Sequence, residues 1–296
     1  MSSVVVESIG FGIVDASIIS IGAMGFSLQF GLTNVFNIAY GTVLTLGAFA
    51  AYLAQTMGVV GWWDVLIGAG VGVIATWLIG KGILANFARR SLGLFELITV
   101  SLAVELVVQY SVDAADGEQL FNYSFNEGRS FHFLGMIFTT TELEIIGLAI
   151  AAFVLLECML RLTRTGKALR AVAEEPRLAR ACGIPTSRIV NVTWVLSGAL
   201  AGVAGVVYII NSLTVSAFTG TDFLPLLLAA AILGRAGSVA GAVVASLAIG
   251  IATELVAAVG GSGYSTIAGF GILVLVLIAR PGGVTSGLAL KTEATL

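Results

Sequence analysis

An all-α, polytopic bundle of membrane-crossing helices is the fold class this sequence predicts, and three observations predict it. Hydrophobic residues make up 58% of the 296, charged residues only 10%, and the mean hydropathy is +1.04, values that a soluble domain with a polar surface does not reach. Apolar runs recur along the chain at about the 20-residue length that carries a helix across the hydrocarbon core. Strand-like alternation of apolar and polar residues is absent, which argues against a transmembrane barrel. The 37 glycines and 4 prolines suit helices packed closely through small residues.

Taken in order, the apolar segments lie near 8–28, 41–57, 62–86, 92–112, 142–160, 189–210, 213–234, 237–259 and 264–280. The first follows an N-terminus, MSSVVVESIG, that lacks the basic region of a cleaved signal peptide, so it reads as a retained span. The seventh is polar in its first half (LTVSAFTGTD) and too short in its second to cross alone, which leaves the count at eight or nine.

Charge sets the orientation. Lys81, Arg89 and Arg90 follow the third segment, and the stretch 161–188, RLTRTGKALRAVAEEPRLARACGIPTSR, follows the fifth and holds seven of the 14 basic residues. The positive-inside rule puts both on the cytoplasmic side. The loop between them, 113–131, carries Asp113, Asp116, Glu118 and Glu127 against Arg129, as an external loop should. Nine crossings would then leave the N-terminus outside and Arg280, Lys291 and the C-terminus inside. The whole chain, 1–296, reads as one transmembrane domain.

Two places interrupt the simple helical pattern. Phe30 to Gly41 (FGLTNVFNIAYG) has no charge, yet it contains two Asn and two Gly between two apolar runs. Irregular backbone within a bilayer persists only where protein or a wet cavity surrounds it, so this stretch reads as re-entrant or unwound. The second interruption is Leu233 to Ser238, with Arg235 as a snorkelling anchor. Interrupted segments in matching positions of two halves point to a transport pathway, and Gly47-Ala48 against Gly241-Ala242 is the weak internal similarity that would pair these two breaks.

Small residues at a spacing of four mark helix contacts: Ser238, Ala242, Ser246 and Gly250 form one stripe, Gly198 and Gly202 another. Glu254 extends the first stripe and should face protein or water. The other polar residues in spans are Asp15, Glu96, Glu105, Gln109 and Glu157. Glu105 and Gln109 share a helix face. An intramembrane carboxylate is a functional candidate, although several sit near segment ends and none has an obvious basic partner.

The basic stretch has its own plan. A helix over Thr165–Glu174 must stop before Pro176, and a second short helix can start with Pro176 at its first position and run to Cys182, stopped by Gly183. Glu174 and Glu175 lie at the N-terminus of that short helix, where the helix dipole favours negative charge. A signal that only set topology would need the positive charge and not this punctuation, so 161–188 reads as a docking element as well.

These residues also resemble a family. Asn37 to Gly41 (NIAYG) followed by Thr42 to Phe49 (TVLTLGAF) is similar to the N-F-A-H-G-x-x-x-x-x-G-A-Y pattern of permease subunits of branched-chain amino acid ABC transporters. Arg164 to Pro176, continuing to Gly183-Ile184, resembles their main cytoplasmic loop, and Ala231 to Ser238 with Gly241-Ala242 their late glycine motif. The likeness covers about 9–284; Tyr40 stands for the usual His, Ile38 for Phe and Arg235 for a common Gly, and the first two bear on substrate identity.

The resemblance implies a multi-pass protein of the inner membrane that translocates branched-chain or related amino acids. Its implied partners are a second permease subunit, like or unlike, cytoplasmic ATPase subunits, an external substrate-binding protein and the lipid bilayer; nucleic acid is not among them. On this reading Glu174, Glu175, Pro176, Arg177, Leu178, Arg180 and Gly183 couple to the ATPase. Asn34, Asn37, Tyr40 and Thr42 are candidates for the substrate pathway, because a zwitterion leaving water needs hydrogen-bonding partners. Consistent with an ATPase elsewhere, Gly80-Lys81 and Gly166-Lys167 lack the upstream glycine and following Ser or Thr of a phosphate loop. With one histidine, His132, and no Ser, His and acid grouping, neither a metal centre, a cofactor nor an enzyme is expected. A sugar-type or urea-type permease shares these features, and an ion-coupled secondary transporter using Glu105 or Glu254 is the remaining alternative.

The orientation is testable by thiol labelling of Arg170→Cys and Asn122→Cys in a chain whose Cys158 and Cys182 are replaced by serine. An impermeant reagent outside intact cells should reach position 122 and leave position 170 unlabelled; the reverse pattern would invert the topology.

Overall fold

The structure is a computed structural model that describes residues 2–59, 61–88, 94–116, 120–125, 128–133, 136–261 and 264–279. Helix α1 (Ser2–Thr33) leads through a short non-helical linker into α2 (Tyr40–Thr56). Then comes α3 (Trp63–Trp77), prolonged by a π-helical stretch Leu78–Leu84 and a short α4 (Ala85–Ala88). After α5 (Leu94–Asp116) come the strands β1 (Phe121–Asn122), β2 (Ser130–Phe133) and β3 (Met136–Thr139). The chain continues through α6 (Thr140–Leu162), α7 (Arg164–Glu174), α8 (Pro176–Ala181) and α9 (Thr186–Ser212). Strand β4 (Thr214–Val215), α10 (Thr219–Leu233), α11 (Val239–Gly260) and α12 (Ser265–Ala279) complete it.

Among the described residues six helices are long and apolar enough to cross a membrane. Each apolar segment of the sequence falls on a helix, with one correction: the span read at 213–234 is helical only from Thr219, and its polar first half is a β-strand and a turn. Arg89, Arg90, Glu118, Glu127, Arg280 and Lys291, which entered the orientation argument, lie outside the described residues.

Two helices form the axis of the bundle. In their most apolar stretches, 78% of α1 and 67% of α9 is buried, against 33% or less in the other long spans. They run antiparallel, with Gly22 against Ala204 and Gly25 against Leu200. The small-residue stripes do what their spacing predicts. Gly198 and Gly202 of α9 meet Gly72 and Gly68 of α3 backbone to backbone, and Gly250 of α11 meets Gly12 and Ala16 of α1. In lipid, where apolar side chains gain little by leaving one surface for another, such close approach is the main source of helix association.

A shift of 179 residues matches the helix ends and turns of α1–α3 to those of α9–α11. It takes the end of α1 onto the end of α9 and Asn34 (φ 51°) onto Leu213 (φ 55°). It also takes the start of α2 at Tyr40 onto the start of α10 at Thr219, and Gly58 (φ 86°) onto Gly237 (φ 97°). The turn hydrogen bonds repeat too: Asn34 N–H to Phe30 O matches Leu213 N–H to Ile209 O, and Tyr40 N–H to Asn37 O matches Thr219 N–H to Ser216 O. Because α1 and α9 are antiparallel, α1–α3 and α9–α11 are inverted repeats. This corrects the pairing read from sequence: the break at 34–39 corresponds to 213–218, not to 233–238, whose counterpart is the turn at Gly58.

The segment between α5 and α6 is more structured than its polar composition suggested. Strands β2 and β3 pair antiparallel, and β1 pairs antiparallel with β4 at the entry to α10. Tyr123 anchors this cover: its hydroxyl donates to Asp64 Oδ2 at 2.5 Å and its N–H to Leu213 O at 2.9 Å. Burial, with the Asp64 carboxylate beside it, pushes the Tyr123 phenol above its ordinary range. Gln55 exchanges hydrogen bonds with the Ser124 backbone, and Phe121 packs on Phe49 and Tyr52.

A Gly202→Val side chain would run into the Gly68 backbone, whereas Gly70 of α3 has open space around it. Thermal unfolding in detergent should show Gly202→Val destabilised by roughly 1–3 kcal/mol, the usual range for overpacking, with Gly70→Ala close to the parent.

Candidate functional site

The linker 34–39 turns the chain back beside α1, so α2 starts within the bundle. The Tyr40 ring packs edge-on against Phe26 at 5.6 Å, seven residues short of the end of α1 at Thr33, or about 10 Å at the helical rise. The inverted repeat does the same to α10. The two half-length helices therefore meet tip to tip: a side chain at Gly220 would strike the Gly41 carbonyl, and one at Gly41 would strike Glu105 Oε1 and press on the Gly220 carbonyl.

Helix tips inside a bilayer expose N–H donors that water cannot satisfy. The N-cap of α2, Ala39, has no side chain able to accept, and α2 has no side-chain cap of its own. A carboxylate from another helix takes the place of that cap. Glu105 of α5, 2% exposed, accepts the Thr42 N–H at 2.8 Å and the Thr42 hydroxyl at 2.5 Å on Oε2, and the Thr221 hydroxyl at 2.8 Å on Oε1. Thr42 and Thr221 are equivalent under the 179-residue shift, so one carboxylate bridges the same residue in both repeats. Gln109 Oε1 lies 3.1 Å from the Thr221 hydroxyl, and the Gly220 N–H donates to Thr45 Oγ1 at 3.0 Å. One turn back along α5, Ser101 Oγ accepts the Ile38 N–H at 3.1 Å. Ser101, Glu105 and Gln109 thus form a polar stripe at a spacing of four that spans the linker and both tips.

The four residues proposed from sequence for the pathway fall into different surroundings. Asn34 is exposed at the turn, with its backbone left-handed. Asn37 is buried, and both polar atoms of its carboxamide lack a hydrogen-bond partner among the described residues. Tyr40 is enclosed, its hydroxyl donating to Gly22 O at 2.9 Å with Ser197 O at 3.5 Å, so it ties α2 to both axial helices. Only Thr42 reaches Glu105. Ser101, Thr45, Gly220 and Thr221 were not singled out from sequence; the signal available was the Gly-Thr pair at 41–42 recurring at 220–221.

The intramembrane carboxylates also need revision. Glu105 lies deep among helices, and Glu157, read as lacking a basic partner, has one in Arg161 at 2.5 Å. That Arg is 69% exposed, so the pair adds little stability. Asp15, Asp222 and Glu254 come together from α1, α10 and α11 around a cavity of about 230 Å3, with Tyr208, Asn211 and Thr253 on its wall. Glu254 accordingly faces the interior of the protein, as its stripe indicated.

A second site lies at the end of α6. Thr163 caps α7, accepting the Gly166 N–H at 3.0 Å, and a side chain at Gly166 would strike the backbone of Met159 and Leu160. Leu169, Val172, Ala179 and Ile189 form a small core of their own, backed by Leu32 of α1 and Met159 and Leu160 of α6. Helix α8 begins with Pro176 at its first position, and Gly183 just beyond it is left-handed (φ 83°). Ala179 faces inward, while Arg177, Leu178 and Arg180 are exposed, Leu178 by 62%.

An inverted-repeat bundle of membrane-crossing helices, with half-length helices that begin inside it and a capped elbow at one end, is the architecture of a membrane permease. The chain belongs to the family described as branched-chain amino acid transport system / permease component, whose model matches residues 8–279. It is 30% identical to the high-affinity branched-chain amino acid transport system permease protein LivH of Escherichia coli (strain K12), with 92% of each chain covered. It is 28% identical to the corresponding permease protein BraD of Pseudomonas aeruginosa, over 92% of this chain and 93% of that one. A third relative, the nucleoside ABC transporter permease protein NupC of Lactococcus lactis, is 30% identical over 82% of this chain and 78% of its own. The solved structure of PsaBC from Streptococcus pneumoniae in complex with Fab shares the fold, with a TM-score of 0.52, 14% identity and 94% of each chain covered.

Proposed function

We propose that this chain is the transmembrane permease subunit of an ABC importer, translocating branched-chain or related amino acids with energy from ATP hydrolysed by a separate subunit. The observation that carries the reading is the family match over 8–279, joined to full-length likeness to amino-acid permeases. On this reading the chain acts as one permease domain and catalyses no reaction of its own. It would work in the inner membrane, paired with a second permease, resting on ATPase subunits and receiving substrate from an external binding protein.

Two regions take the roles. The elbow 161–188, with its charges placed inside by the positive-inside rule, is the ATPase contact: α8 presents Arg177, Leu178 and Arg180 outward, an apolar knob between two cations, from a base that is packed on α1, α6 and α9. Because Leu169, Val172 and Ala179 fix that base, a push on α8 passes to the ends of three helices. Glu174, Glu175, Pro176 and Gly183 hold the short helix in shape. The pathway runs beside the linker and the α2 tip, where Asn34, Asn37, Tyr40 and Thr42 lie.

Reconstituted with its ATPase and binding protein, the chain should take up labelled leucine, isoleucine or valine in an ATP-dependent way. Uptake of nucleosides in their place would support the reading suggested by the Lactococcus relative and overturn the amino-acid assignment. Charge reversal at Arg177 or Arg180, or Ala179→Pro, should reduce ATPase co-purification and uptake together by about tenfold or more, since exposed hot-spot residues carry this much of an interface. Unchanged co-purification and uptake would remove α8 from the coupling role.

A further inference from the structure

Helix α5 has a singular position. Its apolar residues Phe95, Leu102, Leu106, Val107 and Tyr110 are exposed, yet its polar face, Ser101, Glu105 and Gln109, is buried. A buried carboxylate without a cation is an expensive group to keep in a bilayer, and it persists only where donors surround it. Three donors do: the Thr42 N–H, the Thr42 hydroxyl and the Thr221 hydroxyl. They come from two helix tips whose dipoles both favour negative charge.

Among the described residues, the direct hydrogen bond between the two tips is Gly220 N–H to Thr45 Oγ1. Helix α10 is not firmly held along its own axis. Pro225 lies inside it and has no N–H to give the Thr221 carbonyl four residues back, so the first turn of α10 lacks an ordinary helical tie. Besides the Gly220 bond, what ties that turn to α2 is Thr221 on Glu105 Oε1, opposite Thr42 on Oε2.

We propose that Glu105 is the latch that holds the tips of the two inverted-repeat half-helices in register, and that transport depends on it as a positioning residue rather than as a contact of substrate. Side chains at equivalent places in the repeats converge on a single carboxylate, so a displacement of α5 acts on α2 and α10 at the same moment. The latch thereby links the two repeats where their half-helices begin. This inference rests on the transport reading above for its functional half, but its structural half stands apart.

The structural half is read by hydrogen exchange on the purified full chain in detergent. With Glu105→Ala, segments 38–46 and 216–224 should both lose amide protection, by about tenfold, the equivalent of losing one hydrogen bond to a charged group. Glu96→Gln, an exposed carboxylate on the same helix, should change neither. If only 38–46 responds, Glu105 is a local cap and no latch; if neither responds, the bond has no role in holding the tips. Thr221→Val, which cuts one arm and leaves the carboxylate, should loosen 216–224 and add little to Glu105→Ala in the double variant.

The functional half is read in the reconstituted complex. Glu105→Gln and Thr221→Val should lower substrate moved per ATP hydrolysed by about tenfold, with the KM for uptake unchanged and ATPase co-purification intact. A raised KM at full maximal rate would make Glu105 a substrate contact and overturn the latch. Loss of uptake in the parent and in Glu96→Gln alike would instead count against the transport reading, with the exchange result still deciding the latch.

Discussion

The constraint on which the rest of this structure depends is that a backbone N–H ending inside a bilayer must find an acceptor from the protein. Two helices, α2 and α10, begin there, and each would leave donors bare without help. The acceptors come from outside the helices concerned: Glu105 of α5 for Thr42, Thr45 of α2 for Gly220, and Ser101 of α5 for Ile38 in the linker. The tips can approach only because Gly41 and Gly220 lack side chains. A glycine followed by a threonine at each tip supplies both needs, close approach from the first and a hydroxyl for the shared carboxylate from the second.

The inverted repeat makes this arrangement economical. The same turn, with a left-handed residue at Asn34 and at Leu213, ends an axial helix and turns the chain back to start a half-helix. Used twice in opposite senses, it brings two helix N-termini face to face near the centre of the bundle. The repeats then diverge. Ser216 accepts the Phe218 N–H in the second, whereas its counterpart Asn37 keeps a buried carboxamide without a hydrogen-bond partner among the described residues.

The bundle also separates rigid from adjustable parts. The glycine-lined contacts of α1 with α11 and of α9 with α3 are backbone against backbone, with no side chain able to rearrange. By contrast α5 is held by a polar stripe, and α7 and α8 rest on a small core distinct from the main one. The elbow's small core touches the ends of α1, α6 and α9, while the axial contacts join one repeat to the other.

Sequence alone determined the class of fold, the positions of the helices, the small-residue stripes at 198–202 and 238–250, the punctuation of α7 and α8 and the irregular stretch at 34–39. Each of these is written in local terms: run length, spacing of four, a proline at a helix start, a glycine after its end. Hydropathy could not show that 213–218 is the partner of that irregular stretch, because a strand and a turn of six residues leave no periodic trace and the two repeats share almost no side chains. Nor could it show the surroundings of Glu105, since a carboxylate in an apolar run looks the same whether it faces water, a cation or two helix tips. Only the tertiary structure decided that, by bringing residues 42, 105 and 221 together from three helices; hydrogen-bond satisfaction inside a bilayer is a property of neighbours in space, and the linear chain does not record them.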